Sequence, residues 1–382
     1  MKNIWIYLII GLIIGLVIGI SVGYASFPRK VVQYITTTTT TTKTTTSTSV
    51  FAVGAAGTLK FAFGSLLNLT SKYYPQLSVG TPMFKGSGEV ASTENTTKEF
   101  SIVASADTTT IPKDLFPNVA DYEIAFGVTQ MVIIVDLQTS AGKQVYQLWQ
   151  QAQTLPPNSS QYNQTWKEIF SIIAENPSTV VGVSNPFTDP SGYQAQCVLK
   201  LAGLTYFGNS SYLYDSVYNN VNKYQMRNTE IDLLTLMTTN NSVQFILSGY
   251  LSNALPQTQA YQKEGYNITY ITLPPMINLG NLSYVNYYHQ VNVTWSELGK
   301  TETFTCNPVV YTITIPKYAP NPQAAVNFIL LIYSPLGQQI LKSYGINPIY
   351  PGVVYGNYSD IPAVIKPYVV PVNQTNLETI FP

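Results

Sequence analysis

The stretch Val53-Gly54-Ala55-Ala56-Gly57-Thr58-Leu59-Lys60-Phe61-Ala62-Phe63 reads as a strand, a tight turn and a helix start. It puts Gly57 where backbone must come close to something and the Thr58 hydroxyl at the N-cap of the helix that follows. Such a helix start carries unpaired N–H groups and partial positive charge, and it holds an anion without any lysine or arginine. Taken alone, the segment reads first as an ordinary strand-to-helix turn with a threonine cap. The unit constrains the chain because it recurs. Leu77 to Phe84 reads as a strand ending in Lys85-Gly86-Ser87-Gly88, and Ser101-Ile102-Val103-Ala104-Ser105-Ala106-Asp107 as a buried strand ending in small and polar residues. Strands alternating with helices in this way predict an α/β architecture with mainly parallel sheets.

Further along, Met131 to Val135 reads as a strand leading into a helix over Ala141 to Ala152, followed by a helix from Thr165 to Glu175 and a strand from Val180 to Val183. The loop Ser184-Asn185-Pro186-Phe187-Thr188-Asp189-Pro190-Ser191-Gly192-Tyr193 opens a helix through Leu201. A helix from about Thr229 to Met237 precedes a strand around Val243 to Leu247. The chain closes with a strand from Tyr311 to Ile315 and helices through Ala324 to Tyr333 and near Gly337 to Ser343.

At 382 residues, 45% of them hydrophobic, the chain is long enough for two cores. Charge is scarce: 10% of residues are charged, the formal net charge is zero, and His289 is the one histidine. A nucleic-acid partner needs a basic face to release counterions, so that class is excluded. Polarity comes from Thr, Ser, Asn, Gln and 29 tyrosines, a surface whose state changes little with pH, which fits life outside a cell. Cys197 and Cys306 lie too far apart in sequence for a paired-ligand zinc motif; they read either as a disulfide or as two buried thiols.

Ile4 to Tyr24 contains no charged residue and is long enough to span a bilayer. Residues 1–25 are read as a retained anchor, with a signal peptide cleaved after Gly23-Tyr24-Ala25 as the competing reading. Residues 26–50 include the near-continuous threonine tract Thr37 to Thr46, a stalk that cannot bury a core. Sequons at Asn68, Asn95, Asn158, Asn163, Asn209, Asn240, Asn267, Asn281, Asn292, Asn357 and Asn373 favour a glycosylated exterior. Span, stalk and sequons together place the globular part outside the cell.

Several segments, weak singly, form a set by order and spacing: Ala56-Gly57-Thr58-Leu59, Gly86-Ser87, Ile102 to Asp107, Val128-Thr129-Gln130-Met131-Val132-Ile133, Asn185-Pro186 with Asp189-Pro190-Ser191-Gly192-Tyr193, Ile277-Asn278-Leu279-Gly280, Tyr311 to Lys317, and Ser334-Pro335-Leu336-Gly337-Gln338. From Val53 to about Tyr355 the chain thereby resembles the substrate-binding proteins of ABC transporters for tungstate and molybdate, in their archaeal WtpA-like branch. The resemblance implies a two-lobed periplasmic-binding-protein type II fold closing on its ligand like a jaw. Residues 51–135 plus 309–382 would form the first lobe and 136–308 the second.

It also implies an oxyanion site in which Gly57, Thr58, Gly86 and Ser87 offer hydroxyls and backbone N–H groups, Asp189 approaches the metal centre of the anion, and Tyr250 joins the binding set. The family's second carboxylate, a glutamate before a Tyr-x-Ser-x-Ala pattern, is missing: here Gly249 precedes Tyr250-Leu251-Ser252-Asn253-Ala254. Gln194 stands where the family has arginine, and Thr58 where it has serine. With one carboxylate left, Asp189 coordinates alone, is protonated in an acidic milieu, or is structural, since Asp-Pro also makes an N-cap followed by Pro at N1.

The implied partners are tungstate or molybdate, an ABC permease with its ATPase, and the membrane through the N-terminal helix; no cofactor and no catalysis are expected. Within the same class, sulfate, phosphate or another small solute is the alternative ligand. From a different class, a surface enzyme would need a nucleophile with a partner base. His289 reads as a strand residue instead, and Glu230 as a first-turn glutamate that favours the helix dipole. An envelope adhesion protein would need immunoglobulin-like strand repeats, which the chain does not show.

Overall fold

The computed structural model describes residues 50–240 and 242–382; the span Ile4 to Tyr24 and the threonine tract lie outside them. Among the described residues no single helix is long and apolar enough to cross a membrane.

The strands are β1 (Val53–Ala56), β2 (Met83–Lys85), β3 (Ile102–Ser105), β4 (Tyr122–Thr129), β5 (Met131–Asp136), β6 (Val181–Ser184), β7 (Tyr224–Arg227), β8 (Phe245–Tyr250), β9 (Ile268–Thr272), β10 (Asn292–Glu297), β11 (Lys300–Thr305), β12 (Val309–Thr314), β13 (Asn347–Gly356) and β14 (Val369–Pro371). They build two mixed sheets and a hairpin: a seven-stranded sheet in the order β14-β13-β4-β12-β3-β1-β2, a five-stranded sheet in the order β7-β6-β8-β5-β9, and the pair β10-β11. β1, β3 and β6 are buried along their whole length, as parallel strands covered by helices on both faces must be.

Each sheet is the spine of one lobe. The first lobe packs the helices Lys60–Tyr73 and Pro322–Tyr333 on its sheet through an aromatic cluster in which Phe63 meets Phe328 edge-on at 5.1 Å and Phe126 at 5.9 Å. In the second lobe the helix Pro190–Phe207 is buried for most of its length. Its apolar residues are spread around the axis instead of forming a stripe, the pattern of a helix packed on all sides.

The lobe boundary differs from the sequence expectation. β5, assigned above to the first lobe, pairs Met131 with Tyr250 and Val132 with Thr272 in the second sheet. The chain therefore changes lobe at Gln130, between β4 and β5. Both strands are buried at every position, so nothing in the composition of this apolar run marks the changeover. The return crossing ends at β12, which inserts antiparallel between β3 and β4, Thr312 opposite Ser105 and Val310 opposite Val128.

Of the two readings left open for the cysteines, the disulfide is the one formed, joining Cys197 in the helix Pro190–Phe207 to Cys306 just past β11. His289 does not lie in a strand. It follows the short helix Val285–Tyr288 and meets the side chain of Asn307.

Candidate functional site

Register fixes the first half of the site. β1 and β2 run parallel with Ala56 opposite Lys85, so the residues that follow, Gly57-Thr58 and Gly86-Ser87, emerge side by side at the carboxyl edge of the sheet. β3 flanks β1 on the other side, Ala55 opposite Ala104, and delivers Ser105-Ala106-Asp107 to the same edge. The carboxyl ends of parallel strands are where open α/β sheets bind ligands.

Each of the first two strand ends feeds a helix. Gly57–Leu59 is a 3-10 turn running into the helix Lys60–Tyr73, and Ser87–Thr97 is a helix; neither has a side-chain cap. Thr58 was expected at the N-cap, but that place belongs to Ala56. The 3-10 turn begins one residue early and carries Thr58 inside it, so its hydroxyl is released from capping. Thr58 is buried, and the group its Oγ1 approaches within the protein is the Tyr311 hydroxyl. The Tyr311 hydroxyl nearby is engaged by Ser252 at 2.7 Å. Ser87 is buried too, and its Oγ accepts the Ala106 N–H at 3.1 Å, which leaves its own proton to donate elsewhere.

The second lobe presents a matching edge. β7, β6 and β8 are neighbours and run parallel, and their carboxyl ends lead to Glu230, Asp189 and Tyr250 respectively. Asp189 caps the helix Pro190–Phe207, Oδ1 accepting the Ser191 N–H at 2.9 Å, with Pro190 in the first turn. Its Oδ2 accepts the Glu230 N–H at 2.9 Å. Tyr250 is fully buried and donates its hydroxyl to Gln194 Oε1. The helix it precedes, Leu251–Lys263, again has no side-chain cap. Of the helices that start elsewhere, Ser140–Ala152, Ser160–Ala174, Pro322–Tyr333 and Pro335–Ser343 are capped by Thr139, Ser159, Asn321 and Ser334, while Ser211–Tyr218 has no side-chain cap.

The two edges meet. A β-carbon on Gly86 would stand 1.8 Å from the Thr188 carbonyl oxygen, so close approach of the opposite lobe requires glycine there, and one on Gly57 would come to 3.1 Å from the tip of the Glu230 side chain, Oε1. Tyr193 donates its hydroxyl across the gap to Asp107 Oδ2 at 3.3 Å. At the rim a cavity of about 110 Å³ is lined by residues including Asp107, Lys113, Asp189, Tyr193, Lys300 and Glu302. Thr58, Ser87, Glu230 and Tyr250 do not line it.

Electrostatically the floor of the cleft holds acids and phenols without a base. Burial, and then the nearby Asp189, hold the Glu230 carboxyl well above the usual carboxylate range. Burial likewise raises Tyr250 and Tyr311, and no lysine or arginine acts on any of the three. What the floor offers a guest is hydroxyls and helix tips.

All six residues anticipated from sequence, Gly57, Thr58, Gly86, Ser87, Asp189 and Tyr250, come to these two edges. The residues that sequence reasoning missed are Glu230, Asn253 (whose Nδ2 donates to Glu230 Oε1 at 3.1 Å) and the buried Ser191, whose Oγ has no partner. The available signal for Glu230 was its place just past a strand end, the same device as at Gly57. Gly249 has no room for a side chain: a β-carbon there would lie 2.9 Å from the Val132 carbonyl of β5.

Residues 51–347 match the family model described as bacterial extracellular solute-binding protein. The molybdate/tungstate-binding protein WtpA of Thermococcus kodakarensis is 28% identical over 334 residues, covering 81% of this chain and 84% of that protein. An uncharacterized solute-binding protein of Sulfurisphaera tokodaii is 30% identical over 254 residues, 64% of this chain and 61% of its own. Among solved structures, the periplasmic molybdate-binding protein of Azotobacter vinelandii aligns over 78% of this chain and 98% of its own, with a TM-score of 0.45 and 16% identity.

Proposed function

Because the chain belongs to the family of bacterial extracellular solute-binding proteins, we propose that it captures a tetrahedral oxyanion, molybdate or tungstate, in the cleft between its lobes and delivers it to an ABC permease driven by an ATPase. The observation that carries this reading is the pair of helix starts without side-chain caps, at Gly57 and at Gly86-Ser87, that lie side by side at the carboxyl edge of the first sheet with the buried Thr58 and Ser87 hydroxyls, facing an edge of the second lobe, with no lysine or arginine acting on Glu230, Tyr250 or Tyr311. An array of oriented neutral dipoles stabilises a dianion with little reorganisation and releases it again. The named ligand of the Thermococcus relative supports the choice of anion. Sulfate meets the same donors but is smaller, so cavity size sets the preference.

Gly57, Thr58, Gly86 and Ser87 would hold the anion from the first lobe. Asp189 serves the site by fixing the helix start and the Glu230 main chain, and Tyr250 by holding Gln194. An extracellular setting, with the N-terminal span as anchor, accords with the sequons: the asparagines at 68, 95, 158, 163, 209, 267, 292, 357 and 373 are all exposed, so glycans at these positions would not disturb the core.

Isothermal titration of the purified protein tests the reading. Molybdate or tungstate binds with sulfate weaker, and Ser87→Ala lowers affinity by about 1–3 kcal/mol, the usual cost of a lost buried hydrogen bond to a charged group. Absence of heat with all three anions refutes it.

A further inference from the structure

The hairpin of β10 and β11 belongs to neither large sheet, and a two-stranded hairpin on its own is marginal in water, so it stands by what it lies on. Its outer face carries paired hydroxyls, Thr294 with Thr303 at 2.9 Å and Ser296 with Thr301 at 2.8 Å. Its inner face lies on the second lobe. Phe304 stacks flat on Tyr193 with ring centroids 4.5 Å apart, Trp295 meets Tyr218 edge-on at 6.0 Å, Glu297 Oε2 accepts from Asn185 Nδ2 at 2.6 Å, and Lys300 Nζ sits 4.4 Å from the centre of the Phe187 ring. The bond between Cys197 and Cys306 fastens its end to the helix Pro190–Phe207. One inner residue reaches the other lobe. Glu302, opposite Trp295 in the ladder, pairs through Oε1 with Lys113 of the short helix Thr110–Leu115 and through Oε2 with Lys300 at 3.3 Å. Among the described residues, Lys113 with Glu302 is the ion pair that joins the lobes; Lys85 with Glu89 and Lys317 with Asp121 each lie within the first. Lys113, Lys300 and Glu302 all line the rim cavity, beside Asp107 and Tyr193.

Resting on the reading of the cleft as a site that closes on an anion, we propose that this hairpin is a strap carried by the second lobe, whose Glu302 catches Lys113 of the first lobe in the closed form and so slows escape of the captured solute without touching it. The contacts that fasten the hairpin lie in the second lobe, so it travels with that lobe, and the pairing with Lys113 is made and broken as the cleft shuts and opens. An interaction present only in the closed form stabilises that form and leaves the encounter of solute with the open cleft unchanged, so it is read in the dissociation rate. The packing of the hairpin does not call for these charges, because Trp295 and Phe304 already hold it down. In a chain with 10% charged residues, two lysines and a glutamate in one row at the mouth of the cleft are a local concentration that the latch explains. Phe304 also backs the Tyr193 ring, whose hydroxyl reaches across the gap to Asp107, so the strap supports that contact as well.

Release kinetics test it. Wild type, Lys113→Met, Glu302→Gln and the double variant are loaded with isotope-labelled molybdate and chased with the unlabelled anion, the label retained on the protein being followed with time. Thermal melts check folding, titration supplies affinities and hence association rates, and Lys317→Met, which breaks an ion pair inside the first lobe, is the control. Each single variant should release molybdate about two- to fivefold faster than wild type, the scale of a partly exposed ion pair. The double variant should be no faster than the faster single variant, because both substitutions remove one contact, and association rates and the release rate of the control should stay at the wild-type level. The inference is overturned if either single variant releases at the wild-type rate, if the two effects multiply in the double variant, if the control is as fast as they are, or if affinity falls through association alone. A wild type that holds no molybdate removes the anion reading of the cleft together with this inference, whereas a wild type that holds it and releases it as fast as the variants removes this inference alone.

Discussion

Glu94, on the helix Ser87–Thr97, links pH to the stability of the first lobe. Its side chain is buried, Oε2 accepts the Phe100 N–H at 3.0 Å, and Oε1 has no partner. Burial raises its pKa to about 7. The folded protein therefore keeps a proton that the unfolded chain has already released, and stability is highest below the unfolded value and falls as pH rises towards 7. At about 1.4 kcal/mol per unit the loss is at most about 3.5 kcal/mol, and less where water screens the carboxyl. Glu94→Gln, which cannot ionise, should melt higher than wild type at pH 8 and converge with it near pH 4; equal melting temperatures at pH 8 would refute the assignment. The same scale shows what sequence reveals of a site. Thr58 and Ser87 are legible because small and hydroxyl residues just past an apolar strand have one obvious use. Glu230 is not, because a first-turn glutamate is explained well enough by the helix dipole, and only tertiary packing brings its carboxyl towards Gly57 of the opposite lobe.

At the scale of elements, the bond between Cys197 and Cys306 ties the most deeply buried helix of the second lobe to the segment that leads back to β12, across 109 residues of chain. Closing a loop of that size restricts the unfolded chain, by about 3–5 kcal/mol in the chain-entropy view. Replacing both cysteines by serine should lower the denaturation midpoint accordingly without changing the far-UV spectrum of the native state; an unchanged midpoint would show that the bond contributes nothing. Sequence could not choose between disulfide and thiols, since the choice depends on the two residues being neighbours in space. It recovered most elements whose period or turn chemistry is plain, including the helix that starts at Pro190. It missed β13, where Pro348 and Pro351 argue against a strand; the ladder there is irregular between Pro348 and Val353, and the strand persists through its pairing with β4. It also placed β5 in the wrong lobe, because β4 and β5 form one buried run.

For the whole molecule, the proposed capture of an anion comes down to how near two main chains can come. Gly86 has an ordinary backbone conformation that alanine adopts freely, φ −57° and ψ 143°, so Gly86→Ala should fold as wild type does. Yet the added methyl would fall within 1.8 Å of the Thr188 carbonyl oxygen, far inside van der Waals contact, and neither partner is a flexible side chain that can swing away. Small-angle scattering should show wild type contracting at saturating molybdate while the alanine variant keeps its ligand-free dimensions; equal contraction would refute this. Were the lobes to close as proposed, one carbon atom lodged in this catch would prop the clasp ajar, leaving a molecule that is sound in every part and unable to shut.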